Sequence, residues 1–141
     1  MNELGMLVDL SHAGEQTFWD AINTSSKPVI ASHSCVYNLC PHRRNLKDDQ
    51  IKAIAKSGGV IHLNFYAGFI DSTYEKKIKD FLQLHKAEVD SLIRLKTQPD
   101  YAQMLIAELY KDEVKTYRPP LSLLLDHLDH IVKLIGVDHV G

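Results

Sequence analysis

The stretch Met6–Asn45, MLVDLSHAGEQTFWDAINTSSKPVIASHSCVYNLCPHRRN, decides how this chain is read. It holds two short apolar runs, each closing on a serine–histidine pair. Met6–Leu10 leads into Ser11-His12, and Pro28–Ala31 leads into Ser32-His33. Gly14 to Ser26, one helix's worth of residues, lies between them. That rhythm is strand, crossover helix, parallel strand. Parallel strands end at the same edge of a sheet and lie roughly 4.8 Å apart. His12 and His33 therefore emerge side by side. Both imidazoles can reach one ion at about 2.0–2.1 Å, the distance zinc keeps from nitrogen.

Outward from this stretch, Phe18, Trp19 and Ile22 at helical spacing make Glu15–Asn23 the crossover helix. On a regular strand over 6–12, Val8, Leu10 and His12 share one face and Leu7, Asp9 and Ser11 the other. Asp9 then points away from His12 and is given no role in orienting it. Tyr37–Asn45 is a polar connection rich in basic residues. It leads to a helix whose apolar stripe is Ile51, Ile54 and Ala55, stopped at Ser57-Gly58-Gly59. Val60–Tyr66 is a third strand, with Val60, His62, Asn64 and Tyr66 on one face. The order β-α-β-α-β predicts an α/β fold with a parallel sheet covered by helices.

After Gly68 the pattern turns helical. A charged stretch over Asp71–Lys96 runs to the break at Gln98-Pro99, a second helix covers Asp100–Lys115, and Arg118-Pro119-Pro120 breaks the chain again. A last helix runs from Ser122 to Ile135 and closes at Gly136. The segment 71–117 is too long for an ordinary crossover and reads as a helical excursion from the sheet. The net charge of −2, with both signs interspersed, leaves no electrostatic footprint for nucleic acid. No run of about 18 apolar residues is long enough to span a bilayer. Two cysteines, Cys35 and Cys40, make no disulfide framework and read as small buried thiols.

The segments LVDLSH (7–12), KPVIASHS (27–34) and C-x-x-RRN-L-x-D-x-Q (40–50) resemble the membrane, or renal-type, dipeptidases of peptidase family M19. GGVIHLNFYAGFI (58–70) and DHIVKLIGVDHVG (129–141) resemble later segments of the same family, in the same order. The resemblance implies a TIM-like (β/α)8 barrel. Such a barrel takes about 250 residues, so 1–141 reads as a partial barrel domain, with 71–117 as its helical insertion and flanking parts missing at both ends. It also implies zinc-dependent hydrolysis of a dipeptide by a metal-activated water, in a two-zinc site. His12 and His33 would be ligands to one zinc. Arg44 would grip the substrate carboxylate, and Asn64 and Tyr66 would line the pocket. Guanidinium suits that task because its planar fork matches a carboxylate bidentately.

The family's His-x-Asp ligand pair, its bridging glutamate and one active-site histidine fall upstream of Met1. Its acidic proton-transfer residue falls downstream of Gly141. No catalytic residue is therefore expected within the chain, which alone should be inactive. Two other readings are a different metal-dependent amidohydrolase-type barrel and a non-catalytic, truncated barrel module. Arg43-Arg44-Asn45 after the second histidine strand favours a substrate bearing a carboxylate. Exposed strand edges invite self-association, so the partners expected are a dipeptide and further copies of the chain. The compartment stays open. Asp126, His127 and His130 on the last helix, and His139 after it, read as structural contacts. His62 is a departure from the family pattern with no derived purpose, and His42 and His85 show no constellation.

Overall fold

The computed structural model describes all 141 residues, Met1–Gly141. The chain divides into two compact units, one of Met1–Ser72 with Pro120–Gly141 and the other of Thr73–Pro119.

The first unit is α/β. A short 3-10 turn at Asn2–Leu4 precedes β1 (Val8–Asp9), α1 (Glu15–Thr24), β2 (Val29–Ala31), α2 (Asp48–Lys56), β3 (Val60–Ile61) and α3 (Ala67–Ile70). The three strands form one parallel sheet in the order β1-β2-β3. Val8 pairs with Val29, and Ile30 with Val60. Val140 bridges to Ile61 in parallel, so the last residues of the chain extend the ladder beyond β3. The strands are shorter than the apolar runs suggest. The ladder stops at Asp9 and Ile61, and the residues beyond turn into loops that carry side chains to the sheet edge.

Apolar periodicity sets the helices of this unit. Phe18 of α1 and Ile51 and Ile54 of α2 join Leu10, Val29, Ala31, Ile61 and Ile131 in one core. The Gln50 side chain accepts the Lys47 N–H at 2.9 Å, which caps α2, while Asp48 and Asp49 place negative charge at its N-terminus. Gly58, at φ +80°, turns the chain out of α2. At Gly59 a Cβ would fall 1.8 Å from the Val29 carbonyl oxygen, so only glycine lets α2 lead into β3 alongside β2. A second cluster joins Cys35, Phe69, Ile70 and Leu124, the last from α8 (Leu121–Ile135), which packs on α2 and α3.

The second unit is all helix: α4 (Tyr74–Leu84), α5 (Lys86–Arg94), α6 (Pro99–Leu109) and α7 (Lys111–Lys115). Its core is Phe81, Val89, Ala102 and Ile106. The continuous helix expected over 71–96 is broken at His85, and the helix expected over 100–115 is broken at Tyr110. The two breaks meet, with the rings of His85 and Tyr110 stacked 4.1 Å apart. No helix of the protein is long and apolar enough to cross a membrane.

Candidate metal centre

β1 ends three residues before His12 and β2 two residues before His33, and the turns that follow bring the two rings together at the same sheet edge. The imidazole centroids are 5.0 Å apart, with the planes at 64°. Two imidazoles sharing a tetrahedral ion, each nitrogen about 2.1 Å from it and each centroid about 1.1 Å further, would have centroids about 5.2 Å apart. The pair therefore fits two corners of a tetrahedral site. No third histidine, cysteine, aspartate or glutamate of the chain joins them in a group able to hold a metal ion.

The backbone works to present both rings. Leu10 closes a tight turn with Ala13 (N–H to carbonyl, 3.0 Å), inside which His12 takes the left-handed conformation at φ +77°. Asp9 Oδ1 accepts the backbone N–H groups of Ser11 at 3.0 Å and Ser32 at 3.1 Å. Asp9 Oδ2 accepts the Ser32 hydroxyl at 2.5 Å, and the Ser32 oxygen lies 2.7 Å from His33 Nδ1. Ser11 Oγ in turn accepts the His33 N–H at 3.0 Å. Desolvation pushes the Asp9 carboxyl up, but the hydrogen bonds from Ser32 and Ser11 outweigh it and leave the group below its ordinary value. His12 is lowered, first by desolvation and then by the Arg44 guanidinium and the neighbouring His33, with Asp9 opposing. Asp9 was expected to face away from His12. Strand alternation ends at residue 9, however, and the carboxylate ties the two Ser-His corners together.

His12 and Arg44 line one cavity of about 930 Å³, together with Tyr37, His42 and Phe69. That is within the roughly 300–1,000 Å³ of small-molecule sites. The Arg44 guanidinium lies 5.4 Å over the Phe69 ring, and its Nε and one terminal nitrogen are buried without a hydrogen-bond partner. Buried charged donors without an acceptor are costly, and an anionic group in the cavity would satisfy them. Burial and the neighbouring Arg43 lower the Arg44 pKa while Asp9 opposes them. The guanidinium keeps its charge at neutral pH, as arginine does in proteins.

The loops around Arg44 are held by two buried polar side chains, Asn45 and His127, the second of which was expected to make structural contacts. Asn45, buried, accepts the Cys35 N–H at 3.2 Å and donates to the carbonyls of Cys40 at 2.9 Å and Phe69 at 2.8 Å. His127 of α8, also buried, accepts the Val36 N–H at Nδ1 (3.0 Å) and donates from Nε2 to the Ile70 carbonyl (3.2 Å). Burial lowers its pKa, in keeping with a neutral ring that both accepts and donates. His130 pairs with Asp48 at 2.8 Å, and His139 Nδ1 meets the Gly59 carbonyl at 2.8 Å. Cys35 and Cys40 are buried and form no disulfide, and burial pushes the Cys35 thiol up to about 11.

Asn64 and Tyr66 differ from expectation. They lie beyond the end of β3, where the Asn64 side chain accepts the Tyr66 N–H at 2.6 Å in a turn leading into α3. The Tyr66 ring packs edge-on against Phe69, 5.0 Å away. Neither residue lines the cavity of His12 and Arg44.

The family model described as membrane dipeptidase (peptidase family M19) matches residues 1–141. The chain belongs to peptidase family M19. It is 49% identical over its whole length to an uncharacterized dipeptidase of Schizosaccharomyces pombe, covering 24% of that protein. It is similar to a metallopeptidase from Rhodobacter sphaeroides solved with a phosphinate mimic of the dipeptide L-Ala-D-Ala, at 26% identity and a TM-score of 0.65, over 99% of this chain and 29% of that one. The probable dipeptidase PvdM from Pseudomonas aeruginosa shares the fold at 24% identity and a TM-score of 0.68, over 99% of this chain and 38% of that one. This M19 chain thus spans about a quarter to two fifths of the length of these relatives. At the level of the family, the reaction is the hydrolysis of dipeptides by a metallopeptidase.

Proposed function

We propose that this M19 chain supplies part of the metal site and the carboxylate clamp of a zinc dipeptidase built on a (β/α)8 barrel. The observation that carries the reading is the His12–His33 pair, 5.0 Å apart at the ends of adjacent parallel strands. Arg44 supports it, through the unpartnered nitrogens it brings to the cavity His12 lines. His12 and His33 bind one zinc ion through imidazole nitrogen. When bound, zinc supplies Lewis acidity toward the scissile carbonyl and lowers the pKa of a water to about 7. Arg44 fixes the C-terminal carboxylate of the substrate, with Phe69 beneath the guanidinium, and so limits substrates to short peptides. Asn64 and Tyr66 act on that pocket indirectly, through the turn into α3 and the packing of Tyr66 on Phe69. Two imidazoles do not complete a two-zinc site. Further ligands and a proton-transfer group are needed to complete it, and hydrolysis by these residues alone is not expected.

Zinc titration of the chain against a chromogenic chelator tests the metal half of this reading. His12→Ala and His33→Ala are each expected to weaken binding at least tenfold, and affinity indifferent to both would refute it. Arg44→Met, placed in a longer protein that contains this chain, is expected to raise KM for dipeptides far more than for their C-terminal amides. Equal effects on both substrate classes would remove Arg44 from the carboxylate.

A further inference from the structure

The network around Asp9 has a direction, because hydrogen atoms in it are countable. A carboxylate only accepts. Asp9 takes both backbone N–H groups on Oδ1 and the Ser32 hydroxyl on Oδ2. A serine hydroxyl has one proton, and here Asp9 claims it. The Ser32 oxygen, 2.7 Å from His33 Nδ1, is then left to act as acceptor, so Nδ1 must carry the proton. A neutral imidazole protonated at Nδ1 has its free lone pair at Nε2.

We infer that Asp9, acting through the Ser32 hydroxyl, is a positioning residue that fixes the tautomer of His33 and so keeps Nε2 open for a metal ion. This rests on His33 being a metal ligand. The serine before each histidine then has a purpose. Ser32 holds the His33 ring, and Ser11 accepts the His33 N–H and pins its backbone. One carboxylate serves both corners, since its Oδ1 also fixes the turn that carries His12.

The relay predicts that an isosteric change reverses it. In Asp9→Asn the amide oxygen can still accept the two backbone N–H groups, so the corners stay tied. The amide nitrogen, however, now donates to the Ser32 oxygen, which frees the hydroxyl proton to point at His33 Nδ1. That moves the ring proton to Nε2, the atom the metal needs. Ser32→Ala removes the relay altogether, and Ser32→Thr keeps the hydroxyl and should restore it.

The test uses nitrogen-15 NMR of the His33 side chain in the metal-free chain near pH 8, with zinc affinity measured by chelator competition. Wild type and Ser32→Thr are expected to show the Nδ1–H tautomer. Asp9→Asn and Ser32→Ala are expected to shift it toward Nε2–H and weaken zinc binding about 10- to 100-fold, the usual cost of losing such a support. An unchanged tautomer and affinity in both variants, with binding still lost in His33→Ala, would overturn the relay and leave the metal site standing. Zinc affinity untouched by His12→Ala and His33→Ala would overturn the metal reading itself, and with it any role of Asp9 toward a metal. The tautomer shift in Asp9→Asn would then report a structural hydrogen bond only.

Discussion

The two units of the chain use polar groups in opposite ways. In the helical unit, the named ion pairs lie on the surface. Lys76 with Asp80 and Lys86 with Asp90 are exposed i, i+4 pairs, while the interior is Phe81, Val89, Ala102 and Ile106. In the α/β unit, Asn45 and His127 are buried and spend their donors and acceptors on loop backbone. A unit that only has to pack can leave its polar groups in water. A unit that has to hold loops at a sheet edge must bury some, because backbone N–H and C=O groups inside need partners.

The largest effect should come where the sheet tolerates no side chain at all. Gly59→Ala puts a Cβ against the Val29 carbonyl, and the α/β unit is expected to lose its cooperative urea transition while the helical unit keeps its helix content by circular dichroism. Loss of both units together would erase the distinction drawn between them. Phe81→Ala is the mirror experiment. It should cost the helical unit about 3–5 kcal/mol in denaturant titration, and any loss of the zinc affinity proposed for His12 and His33 would again deny the units their separateness.

A polar truncation inside the α/β unit comes next. His127→Leu strands the Val36 N–H and the Ile70 carbonyl and is expected to cost about 2–4 kcal/mol, despite the apolar replacement. His127 also gives the unit a pH dependence. Its folded pKa is depressed by burial below the ordinary 6.5, so the unfolded chain binds the proton first. The stability it contributes is complete above about pH 6.5 and is lost as pH falls from there through the depressed folded value. His127→Leu should flatten that slope in thermal melts, and an unchanged slope would assign it to another group. The smallest effect belongs to the surface pairs. Lys86→Ala should leave denaturation midpoints unmoved, as exposed i, i+4 pairs usually do.

Much of this contrast could be read from the residues alone. The apolar runs ending in Ser11-His12 and Ser32-His33 gave the parallel pair, and helical spacing gave α1, α2 and α8. Misreadings gathered where a local period was carried too far. Alternation was extended to His12 and Tyr66, yet the strands end at Asp9 and Ile61, and past a strand end facing has no parity. The breaks at His85 and Tyr110 carry no glycine or proline to announce them; the two residues instead meet in a tertiary ring contact that no local pattern shows. His127 was read as a structural contact, but its partners Val36 and Ile70, like the Phe69 carbonyl bound by Asn45, lie too far along the chain for a local pattern to name.

His12 occupies a backbone conformation that glycine adopts freely and other L-residues adopt at a cost. Glycine at this position would relieve that cost. On the role proposed for His12, position 12 trades backbone ease for a ring at the sheet edge, and His12→Gly is expected to raise the denaturation midpoint of the α/β unit while weakening zinc binding.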